Sequence, residues 1–393
     1  SGKFWYKRSK NNNNANRGVD LDCPLFLFYP WKEKRNDSLY RPFFETILTA
    51  IKDSNETFIY NDIGFRSILV NKIEMDLVSI LQQIHYDGLA VKKLLKIIKP
   101  TAVLSQMALG TNGALGYWAK HLNIPAVLIS HGSHVVHEDQ YAKREHEILA
   151  KNILTSDYEY LAVQSPLAKD MALLTKKKEN IFKIKPAIWG RNINKIFSSK
   201  DTITITHAGT PKFRHQRRFI YETADEYVSA LIDICNAVRP CKNIKLIIKT
   251  RPQNYELSMD SLNYLLNPLP ENTVIETEKP FSEVLSMTDL LISFSSTTIE
   301  EALVNEIPVL LYGGKGRYAH IPVAPYVDGD QIEQAVTFIK NKDSIDDYFK
   351  AINQRGSSFT VPPEEFDSYR FRDGEALEFS DWFADKIKSG IAA

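Results

Sequence analysis

The sequence predicts an α/β protein built from two Rossmann-like domains that face each other across a cleft. Three observations carry this. From Leu21 onward, apolar runs of strand length alternate with amphipathic stretches. The alternation restarts at Thr202 after a polar stretch, which gives two αβ halves of similar size. The chain has 393 residues, which at about 150 residues per domain suggests two to three domains. Strands joined through helices imply parallel sheets covered on both faces.

Residues 1–19 contain Lys7-Arg8-Ser9-Lys10 and Asn11-Asn12-Asn13-Asn14 without periodicity, and are expected to be a flexible lead-in. The first domain is assigned to 20–195. It opens with a strand over 24–29, a helix over 43–51 and a second apolar run over 57–60. A long helix over 76–98 has apolar residues at Leu77, Ile80, Leu81 and Ile84, and stops before Pro100, which cannot continue a helix. A strand over 101–105, the turn Gly110-Thr111-Asn112-Gly113, a helix over 114–122 and a strand over 125–130 follow. The run Tyr160-Leu161-Ala162-Val163 repeats the theme, with Ser165 as N-cap of the next helix. Residues 181–200 supply the last strand of this half and a linker.

The second domain is assigned to 196–355. Its β-branched strand over 202–206 runs into His207-Ala208-Gly209-Thr210-Pro211, followed by a helix over 218–238 and a strand over 244–249. Strands over 274–276, 290–294 and 308–312 follow, with a helix over 295–304 between the last two and another over 331–341. Residues 356–393 form an aromatic helical tail, with Phe366, Tyr369, Phe379 and Trp382, expected to pack back on the first domain.

Composition excludes several classes. Forty-nine Lys plus Arg balance 48 Asp plus Glu, a formal charge of +1, so a nucleic-acid coat is not expected. Any bound anion must be held by a local site. Cys23, Cys235 and Cys241 are too scattered for a disulfide framework or zinc knuckle, and a reducing cytoplasmic setting is expected. Apolar runs are strand-sized, far below the roughly 20 residues of a membrane span. The opening Ser1-Gly2-Lys3, without a methionine, is expected to be a trimmed start.

The richest segment is Asp289-Leu290-Leu291-Ile292-Ser293-Phe294-Ser295-Ser296-Thr297-Thr298-Ile299-Glu300-Glu301-Ala302-Leu303. An apolar strand ends in four hydroxyl residues just where a helix begins. The first amides of a helix lack internal partners and carry partial positive charge, so an anion can seat there among small hydroxyl side chains. Glu300, in the first turn, is a candidate for a ribose hydroxyl. Ser295 or Thr297 acting only as a helix cap is the plain alternative.

This strand, its Ser-Ser-Thr-Thr start, Glu-Glu-Ala-Leu and the following Pro308-Val309-Leu310-Leu311 resemble the donor-binding signature of GT-B glycosyltransferases. More narrowly they resemble bacterial capsule and lipopolysaccharide enzymes of the Kdo, polysialic acid and polyglycerol-phosphate transferase kind. The match is clearest over residues 100–330. The resemblance implies that the second domain holds a nucleotide-activated sugar, a CMP-sugar slightly favoured over UDP or CDP donors, and that a glycan or glycolipid acceptor docks on the first. It implies a metal-independent reaction with no cofactor, in the cytoplasm, with peripheral attachment to the inner membrane face left open. The same architecture also serves nucleotide-sugar 2-epimerases and hydrolases, and a nucleotide-binding scaffold without activity is the alternative from another class.

Other candidates group around that signature. Gly209 and Thr210 occupy the Gly-Thr loop position after the domain's first strand, with Lys212, Arg214, His215, Arg217 and Arg218 supplying charge. Lys249 and Arg251 end a strand where related capsule transferases carry a His-Pro pair; arginine suits a phosphate but not general-acid work. In the first domain, Ser130-His131-Gly132-Ser133-His134 follows a buried strand, and His131-Gly132-Ser133 resembles the His-Gly-Thr step of polyol-phosphate transferases. An inverting transfer needs a base for the acceptor hydroxyl; His131 is the first choice, then Glu138 and Asp139. His131, His134, His137, Glu138 and Asp139 are all metal-ligand types, but their spacing fits no established zinc motif and no metal is expected. His134 and His137 are read as hydrogen-bonding loop residues. Ala108–Gly113 is read as an acceptor-side loop, and Gly313-Gly314-Lys315-Gly316-Arg317-Tyr318 as either a flap over the donor or a surface turn.

Overall fold

The computed structural model describes residues 41–54, 58–60, 63–132, 135–154, 157–175, 178–190, 193, 202–209, 219–251 and 257–391. Contacts divide the chain after Ala90. In the first unit, α1 (Arg41–Lys52) precedes a two-strand hairpin, β1 (Ile59–Tyr60) against β2 (Ile63–Gly64), and then α2 (Arg66–Ile98), whose last residues belong to the second unit. The Arg66 guanidinium donates to the Lys52 and Ser54 carbonyls at 3.2 and 2.7 Å, tying off the end of α1. The strand expected over 24–29 lies outside the described residues.

The second unit holds both predicted sheets. In the first of them, β3 (Val103–Ser105), α3 (Thr111–His121), β4 (Ala126–Ile129), α4 (Gln140–Leu154), β5 (Tyr160–Val163), α5 (Pro166–Leu173) and β6 (Ile181–Lys183) follow in sequence. The strands pair in parallel in the order β3-β4-β5-β6. Strand β4 is buried along its length, as a sheet covered on both faces requires. Ser165 caps α5 as expected, its Oγ accepting from the Ala168 amide at 3.1 Å.

The second sheet comprises β7 (Ile203–Ala208), α6 (Ala224–Val238), β8 (Ile244–Lys249), α7 (Met259–Leu265), β9 (Thr273–Glu276), α8 (Phe281–Leu285), β10 (Leu290–Ser293), α9 (Thr297–Val304), β11 (Val309–Leu311) and β12 (Val336–Phe338). Its parallel order is β12-β11-β10-β7-β8-β9, the doubly wound Rossmann arrangement. Helix α6 starts from a capping box in which Thr223 and Glu226 exchange bonds. Two parallel αβ domains are the arrangement that the GT-B resemblance implies.

One element is corrected. Residues 331–341 do not form a helix: a 3-10 turn (Gly329–Glu333) leads into β12, whose three residues are all buried beside β11. Branched and aromatic side chains there fill the sheet edge, and tertiary burial decides the conformation. The helix comes next, as α10 (Lys342–Arg355), with Ile345, Tyr348, Phe349 and Ile352 buried at helical spacing. Last comes α11 (Phe379–Ile391), which seats Trp382 among Val127, Ile129, Ala162 and Ile184 of the first sheet. Among the described residues, no helix is long and apolar enough to cross a membrane.

Because Trp382 is buried on that sheet, Trp382→Ala should lower the first urea-unfolding transition by about 3 kcal/mol, the usual cost of emptying an aromatic core site. An unchanged midpoint would show that the tail is not part of the domain's core.

Candidate active site

In a doubly wound sheet the crevice opens at the carboxyl ends of the strands where the order reverses. Here that point lies between β7 and β10, which pair Ile205 with Leu290, Thr206 with Leu291 and His207 with Ile292. Beyond these ends lie Gly209 on one side and Ser295, Ser296 and Thr297 on the other, all half-buried. Ser296 is the N-cap of α9, its Oγ accepting from the Thr298 amide at 3.3 Å, while the Ile299 amide donates to the Ser296 carbonyl at 3.1 Å. The cap is therefore Ser296 and neither Ser295 nor Thr297. Ser295 hydrogen-bonds the Tyr318 hydroxyl.

The loop after β4 closes on this helix start. Gly132 has φ +101°, a left-handed conformation that favours glycine, and a Cβ added there would lie 2.9 Å from the Trp189 ring and 3.3 Å from Thr297 Cβ. Trp189 Nε1 donates to the His131 carbonyl at 3.2 Å, which fixes the loop from behind. The structure thus brings His131, half-buried, to the same crevice as Ser295–Thr298.

Several polar groups at the crevice, apart from Thr298, were not identified from sequence. Among the described residues, the buried Ser293 Oγ, Thr298 Oγ1, Tyr227 hydroxyl and both His207 ring nitrogens have no hydrogen-bond partner. Buried hydroxyls normally find a partner, so their concentration at a strand end and a helix start marks a place for a polar ligand. Burial holds His207 down to about 4, so it is neutral at physiological pH. Glu222, behind the Gly313–Gly314 turn, accepts from the Gly314 amide at 3.2 Å. Burial, reinforced by the Glu226 charge and opposed by the Gly314 amide and Arg317, raises its carboxyl to about 8.

Other expected residues have different roles. Glu300 is 1 % exposed and its Oε2 accepts a hydrogen bond from Ser165 Oγ, so its carboxylate joins the two sheet domains. Its neighbour Glu301 accepts from the Gly190 amide at 2.9 Å, and Asn305 donates to the Gly190 carbonyl at 2.8 Å, which extends the same seam. Lys249 is buried and donates to the Thr250 and Thr277 carbonyls at 3.0 and 2.9 Å, so its ammonium is spent on backbone at the β8 end. Arg251 is exposed just beyond β8. Asp139 caps α4, Oδ1 accepting from the Tyr141 and Ala142 amides at 3.0 and 2.8 Å. Glu138 is exposed on the rim of a cavity of about 200 Å³ shared with Arg317 and Lys340.

The glycine turn is not a loose flap. A Cβ on Gly314 would run into the Phe294 ring, and Arg317 pairs with Glu226 at 3.0 Å while donating to the Tyr221 carbonyl at 2.8 Å. His137 lies in the loop before α4, where it is buried and stacks on His146 with ring centroids 3.8 Å apart. Thr210, Lys212, Arg214, His215, Arg217, Arg218 and His134 lie outside the described residues.

No protein-family model matches this chain, and no curated protein matches it. Among solved structures, it is similar to UDP-GlcNAc 2-epimerase from Methanocaldococcus jannaschii in complex with UDP-GlcNAc and UDP, at 14% identity and TM-score 0.48 over 78% of this chain and 82% of that one. It is also similar to UDP-GlcNAc 2-epimerase from Neisseria meningitidis bound to UDP-GlcNAc, at 12% identity and TM-score 0.46 over 89% and 97%. MurG of Acinetobacter baumannii follows at 13% identity and TM-score 0.41 over 77% of each chain. At such identities and scores the likeness carries no weight for the reaction, and the fold rests on the two sheets themselves.

Glu222 gives a test of the crevice's electrostatics. An acid whose folded pKa is raised holds its proton where the unfolded chain has lost it, so its stabilising effect declines as pH rises from about 4.5 to about 8. Glu222→Gln removes that loss. Its stability relative to the parent should therefore improve between pH 5 and pH 8 by at least about 1.4 kcal/mol, the equivalent of one pKa unit. A difference that stays flat in urea melts across this range would place Glu222 in contact with water.

Proposed function

We propose that the chain is a glycosyltransferase that moves a sugar from a nucleotide-activated donor to a hydroxyl of a growing surface glycan or glycolipid. The observation that carries this reading is the crevice between the β7 and β10 ends, where the Ser295–Thr298 helix start faces the His131–Gly132 loop. Gly209, Ser295, Ser296, Thr297 and Thr298 receive the donor phosphate, with Arg251 at the strand edge; Thr210 and Lys212 are assigned to the same group from the sequence alone. A CMP-linked sugar is the favoured donor, and the acceptor approaches from the first sheet domain.

In this reaction an acceptor oxygen attacks the anomeric carbon as the bond from that carbon to the phosphate oxygen breaks. The electron pair stays on the phosphate, where developing charge meets amide hydrogens and hydroxyls held in place before the reaction. His131 takes the proton that the acceptor hydroxyl loses. The same crevice would serve a 2-epimerase or hydrolase, which consumes its nucleotide sugar with no acceptor present.

The experiment combines binding with turnover. Thermal shift with CMP, CDP, UDP and GDP should reveal one preferred nucleotide. His131→Ala should leave that binding intact and slow transfer by roughly 10²–10⁴-fold. Ser296→Ala should weaken binding and turnover together, beyond the ~1 kcal/mol stability cost of losing a cap. Full donor consumption without acceptor would assign the epimerase or hydrolase, nucleotide binding with no turnover would assign a scaffold, and no binding of any nucleotide would overturn the reading.

A further inference from the structure

The seam between the two sheet domains contains a group of side chains that the proposed transfer does not use. His137 precedes α4, His146 lies within it, and His320 comes from the other domain, just after Tyr318. They are 2%, 2% and 0% exposed, and one ligand nitrogen of each lies within 4.8 Å of the others. The His137 ring sits 5.4 Å from the His320 ring, and the His146 ring 5.5 Å from it.

We propose that His137, His146 and His320 form a binding site for a zinc-class transition-metal ion that joins the two sheet domains. Imidazole nitrogens suit zinc, copper, nickel and iron, whereas magnesium and calcium require oxygen ligands. Tetrahedral coordination at about 2.0–2.1 Å puts ligand nitrogens about 3.3 Å apart. From separations of up to 4.8 Å, the required contraction is therefore at most about 1.5 Å, within reach of ring rotation. The His137–His146 stack opens as the two nitrogens turn toward a common centre. Three histidines with water in the fourth position is a known zinc arrangement. A cavity of about 200 Å³ is lined by Glu138, Asp139, Tyr318 and Ala319, the sequence neighbours of His137 and His320.

The metal would hold α4 to the segment that carries Tyr318. The Tyr318 hydroxyl donates to the Ile220 carbonyl at 3.0 Å, and its ring meets Phe294 edge-on at 5.2 Å, one residue before Ser295. Binding at the seam would fix the spacing of the crevice walls without touching substrate. The inference stands apart from the transferase reading, because it concerns metal content and not turnover.

The test uses the full chain, stripped with a chelator and dialysed into metal-free buffer. Added zinc should be retained at one ion per chain and raise the melting temperature by roughly 5 °C at a hundredfold excess over Kd. Cobalt(II) should give the intense visible absorption of a tetrahedral site. His146→Gln and His320→Gln should each lower zinc affinity at least tenfold, while His121→Gln, on the exposed face of α3, should not. Zinc retention no greater than in His320→Gln, or a weak octahedral cobalt spectrum, would overturn the proposal. If the variants fail to fold, the cobalt spectrum of the parent chain decides alone.

Discussion

The distance between the loop after β4 and the first turn of α9 decides whether this molecule has a site. Gly132 lets the two approach because it has no Cβ and tolerates φ +101°, and Trp189 holds the loop through the His131 carbonyl. Below that contact, Ser165 works in two directions. It caps α5 by accepting from the Ala168 amide, and it donates to the buried Glu300 of the other domain. A hydrogen bond to a charged group such as this one contributes about 1.5–3 kcal/mol. Glu301 with Gly190, and Glu145 with the Phe219 and Ile220 amides, continue the seam on either side.

The chemistry that this seam encloses is mostly uncharged. Two of the described cations near the crevice are already committed, since Arg317 pairs with Glu226 and Lys249 faces two carbonyls, which leaves Arg251 at the strand edge. An anion seated at α9 would rely mainly on helix amides and on the hydroxyls of Ser295, Ser296, Thr297 and Thr298, with Arg251 at the edge. Such a site stabilises charge by fixed dipoles and needs little rearrangement as charge develops. The partnerless buried hydroxyls of Ser293 and Thr298 are consistent with a site organised around a polar guest.

Much of the fold was legible because β7 is a β-branched run, β8 and β10 are rich in Ile and Leu, and hydroxyl residues mark the α9 start. Asp139 and Ser296 could have been read as caps on the same grounds that identified Ser165, since each stands directly before a helix or one residue from it. Strand β12 was misread because three buried residues carry too little periodicity to separate strand from helix. The roles of Glu300 and Lys249 were out of reach. Sequence shows a carboxylate in a first turn and a lysine at a strand end, but not Ser165 or the Thr277 carbonyl, which the fold delivers from elsewhere. The histidine group was equally hidden, with His320 coming from the other domain and His146 a helical residue without a metal-motif spacing to His137.

The central claim is that the amides opening α9 receive an anionic group of the donor. Hydrogen–deuterium exchange across residues 293–303, with and without the nucleotide that binds best, tests it most directly. The account predicts slower exchange at the first amides of α9 and in the loop around Gly132 when nucleotide is present. Saturating nucleotide that leaves both segments unchanged, while protecting some other part of the chain, would contradict it.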